Sequence, residues 1–166
     1  GWFNRYNNEG VTNTEITDAS TPTPPAIGVV FPNRKVYGYF VQPGATAYDN
    51  NSTCPGGSST SFHGTHTTGT VAGDSGTAST PTEPNYDTGD GMAPNAQILF
   101  QDLGNDISGC LSGIGGLTMW QQARAAGAYI SSNSYGSDFA SATFYTSGDA
   151  EVDQTLWLND DMLIAF

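Results

Sequence analysis

Apolar residues in this chain gather into short runs separated by long polar stretches, and the runs have two periods. The first 34 residues are polar, with Asn-rich and Pro-rich segments ("NRYNNEG", "STPTPPA"), and predict an extended surface segment. "KVYGYFV", Lys35 to Val41, is β-branched and aromatic and predicts a strand. After a Gly/Ser/Asn-rich loop, "GTHTTGTVAG" has the small residues of a helix packed closely on a sheet. "AQILFQDL", Ala96 to Leu103, has a nearly continuous apolar centre, as expected of a strand covered on both faces. Gly113 to Ala128 carries Ile114, Leu117, Trp120 and Ala123/Arg124 at helical spacing, with Gly127 as the stop. "YISSNSYGS" predicts a short strand entering a turn. Ala150 to Asp160 places Val152, Leu156 and Trp157 on one helical face, and "DMLIAF" predicts a buried strand.

The predicted order is strand, helix, strand, helix, strand, helix, strand. Such alternation points to an α/β domain with a parallel sheet and right-handed crossovers. Residues 35–166 would supply this core, and no internal repeat is visible.

Charge narrows the partners. Four Lys plus Arg stand against sixteen Asp plus Glu, a formal net charge of −12. Nucleic acid and anionic membrane surfaces both need a basic face, so neither is an expected partner. No apolar run is long enough to span a bilayer. Only 12% of residues are charged and Lys35 is the single lysine, a surface texture that suggests a secreted or salt-exposed protein. The start at Gly1, with no Met and no signal-peptide pattern, fits a processed or partial chain.

The two histidines of the chain stand three apart in "SFHGTHTTGTVAGDSG", at His63 and His66. Three readings compete: a polar loop that happens to hold both, a shared cation, or a catalytic imidazole at a helix N-terminus. The cation reading lacks the H-E-x-x-H pattern and any adjacent Glu. A neutral imidazole with a pKa near 7 suits general-base activation of a serine hydroxyl.

"HGTHTTGTVAG", His63 to Gly73, resembles the histidine motif of the subtilisin-like serine proteases, the subtilases. Two further segments follow in that family's order. "GMAPNAQILFQDLG", Gly91 to Gly104, is similar to its G-[VM]-A-P-x-A segment and following strand, and "SNSYGS" to its cleft-wall segment ending in Ser-Leu-Gly. The resemblance covers roughly residues 60–166 and implies a parallel-sheet subtilisin-like α/β fold, incomplete in this chain. It implies that His63 is the general base and that His66 is a structural core residue. Ser134, Tyr135 and Gly136 would pair with an extended polypeptide substrate through their backbone, with Tyr135 where many relatives carry Leu. Ser108 and Gly109 match the opposite edge of the cleft, though an ordinary turn explains them nearly as well.

Three of the four chemical groups of the family are not found. No D-[ST]-G motif precedes His63, and Asp18 and Asp49 lie in polar loop sequence. The A-G-N segment of the oxyanion Asn and the G-T-S-[MA] serine motif are absent. The chain is therefore expected to be the middle piece of a catalytic domain, folding only with the remaining segments of that domain. In an extracellular setting a Cys54–Cys110 bridge would pin the histidine loop to the cleft edge, and Asn50 and Asn51 head overlapping N-x-[ST] sequons. The resemblance requires no cofactor for chemistry. It leaves room for structural calcium, although no segment matches a calcium loop. Against the reading as part of a secreted serine endopeptidase stands a non-catalytic extracellular structural or binding protein on the same scaffold.

Overall fold

The computed structural model describes residues 26–32, 35–48, 63–73, 89–94, 96–105, 111–112, 116–136 and 143–166. Among them the elements follow the predicted alternation: β1 (Val36–Val41), α1 (His63–Ala72), β2 (Ile98–Asp102), α2 (Leu117–Ala125), β3 (Ile130–Ser132), α3 (Ser147–Leu158) and β4 (Leu163–Ala165). β1 and β2 pair in parallel, with Tyr39 opposite Phe100 and Val41 opposite Asp102. β3 and β4 also pair in parallel, Ile130 opposite Leu163 and Ser132 opposite Ala165. Among the described residues the strands thus form two parallel pairs rather than one four-stranded sheet. The outer edge of β1 is met by single bridges from Ile27 and Val30. No helix among the described residues is long and apolar enough to cross a membrane.

One helical layer joins the pairs. Met119, Trp120 and Ala123 of α2 form a buried cluster with Met162, and Leu99, Leu103, Val152, Leu156 and Ile164 pack against it. Trp120 is 1% exposed. The buried stripe runs through Met119 rather than Leu117, and Arg124 turns outward to a two-pronged ion pair with Asp161 and onto the ring of Tyr129. Guanidinium and carboxylate need water or each other, so the edge of the predicted helical face went to charge instead of core.

Two expectations of burial fail on the β3–β4 side. Trp157 is 88% exposed, whereas Val152 and Leu156 face the core as expected. β4 is not a buried strand: Ile164 turns inward while Leu163 and Ala165 are exposed. Successive strand residues point to opposite faces, and here the helices α2 and α3 cover one face only.

α1 lies on the other side of β1–β2. Leu99 faces α2, so Phe100 faces away, and a methyl group on Gly64 of α1 would sit 3.1 Å from the Phe100 ring. The C-terminal end of α1 is closed by backbone. Gly91, Met92 and Ala93 donate N–H bonds to the carbonyls of Gly73, Thr70 and Val71 at 2.8, 3.0 and 2.8 Å. These are the carbonyls a helix cannot satisfy by itself. A methyl group at Gly91 would lie 2.5 Å from the Gly69 carbonyl oxygen, so only glycine fits. Lys35 fixes the same segment from beneath: its ammonium, on a side chain almost wholly buried, donates to the carbonyls of Pro94 and Ala96.

Candidate active site

The β-strand ends and the start of α1 converge on His63. A helix that returns between two parallel strands runs opposite to them, so its N-terminus meets their C-terminal ends. His63 is the first residue of α1, and its side chain is exposed. Its Nε2 lies 2.8 Å from the carbonyl oxygen of Ser134, just after β3. A carbonyl only accepts, so Nε2 carries the proton in this arrangement and a neutral ring has its lone pair on Nδ1. Two motifs 71 positions apart in sequence therefore meet through one hydrogen bond.

Ser134 and Gly136, just beyond β3, are exposed, and Tyr135 between them turns inward. The Tyr135 ring meets Phe166 edge-on at 5.8 Å, and Phe166 meets Trp120 in the same way at 6.4 Å. Burial pushes the Tyr135 phenol up, and its hydroxyl has no hydrogen-bond partner among the described residues. The Tyr135 ring thus packs inward behind this segment, while Ser134 and Gly136 are exposed on either side of it.

His66 departs from expectation. It is exposed on α1, and no core packs around it. The buried residues of α1 are small instead: Gly69 and Ala72, whose backbone lies against Gly91. Among the described residues no group of three or more His, Cys, Asp or Glu comes together. Ser108, Gly109, Cys54, Cys110, Asn50, Asn51, Asp18 and Asp49 lie outside the described residues.

A buried carboxylate that sequence reasoning passed over stands at the end of β2. Asp102 was hidden inside an apparently apolar strand. It is 6% exposed and accepts from the Tyr39 hydroxyl, from the Tyr48 N–H at 3.2 Å and from the Gly104 N–H at 3.0 Å. The Tyr48 N–H also reaches the Tyr39 oxygen at 2.7 Å. Burial, reinforced by the bond to the Asp102 carboxylate, holds the Tyr39 phenol far above its usual pKa, so it remains a donor. Three rings stack nearly parallel beside this carboxylate. Tyr48 lies on Tyr39 at 4.4 Å and 9°, and Tyr39 on Phe100 at 5.8 Å and 8°. Tyr48 itself has φ +56°, a left-handed backbone that costs a non-glycine residue about 1 kcal/mol or more. With its oxygens turned to these donors, Asp102 is an anchor of the strand ends. Its signal in the sequence was one charged residue at an inward strand position, opposite a chain rich in tyrosine.

A second polar knot ties β1 and β2 to α2. Gln42 donates to the Gln122 side-chain oxygen at 2.8 Å, and Gln101 donates to that same oxygen at 2.9 Å and to the Met119 carbonyl at 2.8 Å. Buried amides must be satisfied, and these satisfy one another across three elements.

No curated protein and no solved structure matches this chain. A family model, described as the subtilase family, matches residues 13–164. With the α/β alternation, the small-residue histidine helix closed by Gly91–Ala93 and the meeting of His63 with Ser134, this match settles the assignment: the chain belongs to the subtilase family of serine peptidases, and it carries a segment of that fold.

Proposed function

We propose that this chain is a segment of a secreted serine endopeptidase in which His63 is the general base. The observation that carries the reading is the 2.8 Å bond between His63 Nε2 and Ser134 O. It puts an exposed imidazole beside an exposed backbone segment at the end of β3, an arrangement suited to proton transfer at a bound peptide. Ser134–Gly136 forms one wall of the cleft and pairs with substrate main chain, with Ser108 and Gly109 at the opposite edge. His63 takes the proton of a serine hydroxyl and returns it to the leaving amine. To do so at Nε2 the ring turns away from Ser134 O, for which its exposure leaves room.

The nucleophilic serine, the triad aspartate and the oxyanion asparagine belong to parts of the catalytic domain outside this sequence. The split of the strands into two parallel pairs supports this, since β2 and β3 share α2 yet do not bond to each other. Secretion is supported by the sparse charge and the sequons at Asn50 and Asn51, and in that setting Cys54 and Cys110 would form a bridge. Hydrolysis of a peptide library by the intact protein tests the reading. His63→Ala is expected to lower kcat by at least about 10⁴-fold. Undiminished turnover in that variant would overturn it.

A further inference from the structure

We infer that Asp102, through the Tyr48–Tyr39–Phe100 stack that it anchors, is a positioning residue for His63. The inference rests on the reading of His63 as the base. Position 100 is the link. Phe100 and Asp102 lie two apart on β2 and so share one face, the face on which α1 begins. Gly64, next to His63, rests on the edge of the Phe100 ring, where an added methyl group would come within 3.1 Å. The ring cannot retreat into the sheet, because Tyr39 is stacked beside it and the Tyr39 hydroxyl is bonded to Asp102. Tyr48 closes the stack from outside, and Asp102 and the Tyr39 oxygen both accept its N–H.

Two features separate this cluster from ordinary packing. A carboxylate with an alternative in water is buried at a strand end, where an apolar residue would fill the space without desolvation cost. Tyr48 is also held at φ +56°, and strained backbone of this kind persists where surrounding contacts over-determine it, often beside functional sites. The buried carboxylate fixes the position and tilt of three rings, and the edge of the Phe100 ring sets where the first turn of α1 lies. The reach of His63 to Ser134 O depends on that turn.

The test uses the intact protein with labelled histidine, comparing wild type with Asp102→Asn, Tyr39→Phe and Phe100→Leu. The Phe100→Leu variant leaves the carboxylate and its donors in place and interrupts only the stack, so it decides the matter where loss of the carboxylate prevents folding. His66 lies on the same helix, away from the Phe100 contact, and serves as the internal reference. The expected result is a shifted His63 ring resonance and a weakened Nε2–H signal, with His66 unmoved. Turnover should fall roughly 10- to 100-fold in kcat, the scale of a displaced catalytic group, while KM changes little. Folded variants with unmoved His63 and normal kcat would overturn the inference. So would His63 and His66 shifting together, which would mean a helix that is merely loosened. A wild-type protein without peptidase activity would sink the functional reading instead, and the resonance comparison would still decide whether Asp102 places His63.

Discussion

Replacing Gly91 by alanine should be costly far beyond the size of a methyl group. The new Cβ would stand 2.5 Å from the Gly69 oxygen, 2.8 Å from the Gly73 nitrogen and 2.9 Å from the Ala72 nitrogen. All three are backbone atoms of α1 or its end, so no side chain can swing aside. If the structure absorbs the methyl group in place, the overpacking costs about 1–3 kcal/mol. If the Gly91–Ala93 segment withdraws instead, three backbone hydrogen bonds are lost, at about 1 kcal/mol each. The two routes together bracket a loss of about 1–3 kcal/mol. The assay is equilibrium denaturation of the intact protein, read from the midpoint at unchanged slope. Gly148→Ala is the control: its Cβ would meet only the Thr146 hydroxyl oxygen at 3.6 Å, and alanine suits the first turn of α3, so it should stabilise by a few tenths of a kcal/mol. A loss below about 1 kcal/mol for Gly91→Ala would refute the account of how the second motif closes the histidine helix.

Other outcomes follow from the same contacts. Thr146→Ala removes the N-cap of α3, whose hydroxyl and the Asp149 carboxylate bond reciprocally to backbone N–H groups, and should cost about 1 kcal/mol in the same assay. Hydrogen bonds from Thr146 hold Asp149, and the Arg124 guanidinium holds Asp161, below the usual carboxylate range. A depressed folded-state pKa means that their stabilisation is complete above the unfolded value of 3.8 and is lost as pH falls through the folded values. Thermal midpoints should therefore decline on acidification below about pH 4, less steeply in an Asp149→Asn, Asp161→Asn double variant. Lys35→Met keeps the buried stem but takes away the donor to Pro94 O and Ala96 O, and should destabilise by about 2–4 kcal/mol, measured by denaturation.

The alternation of elements was legible because each run of this sequence has one clear period and small or polar residues on either side. β1, α1, β2 and α3 begin within three residues of where the pattern puts them. The choice of face was less legible. Arg124 and Trp157 fall at helical spacing with core residues, yet the first has Asp161 to pair with and the second faces away from α2. Periodicity records which residues share a stripe, not how wide a stripe the neighbouring elements can cover. β4 shows the same limit, since an apolar strand was read as buried whereas Leu163 lies on a face the described helices do not reach. At the site, His63 and Ser134 were legible as motifs, and their contact was not, because nothing local links positions so far apart. Asp102 was passed over for a different reason: the Gly104 N–H is a local donor, but the Tyr39 hydroxyl and the Tyr48 N–H come from far along the chain, and it is the β1–β2 pairing that brings Tyr39 to it. His66 was assigned to the core by resemblance and is exposed, while the buried positions of α1 are the small Gly69 and Ala72.

The central claim is that His63 serves as the base of a serine peptidase, and covalent labelling tests it most directly. The native protein and its His63→Ala variant would be treated with a fluorophosphonate probe, separated under denaturing conditions and mapped by mass analysis. Labelling of one serine in the wild type, on the chain containing this sequence or on a chain bound to it, and its loss in the variant is the predicted result. Equal labelling of a folded variant, or no labelled serine in intact, folded wild type, would contradict the account.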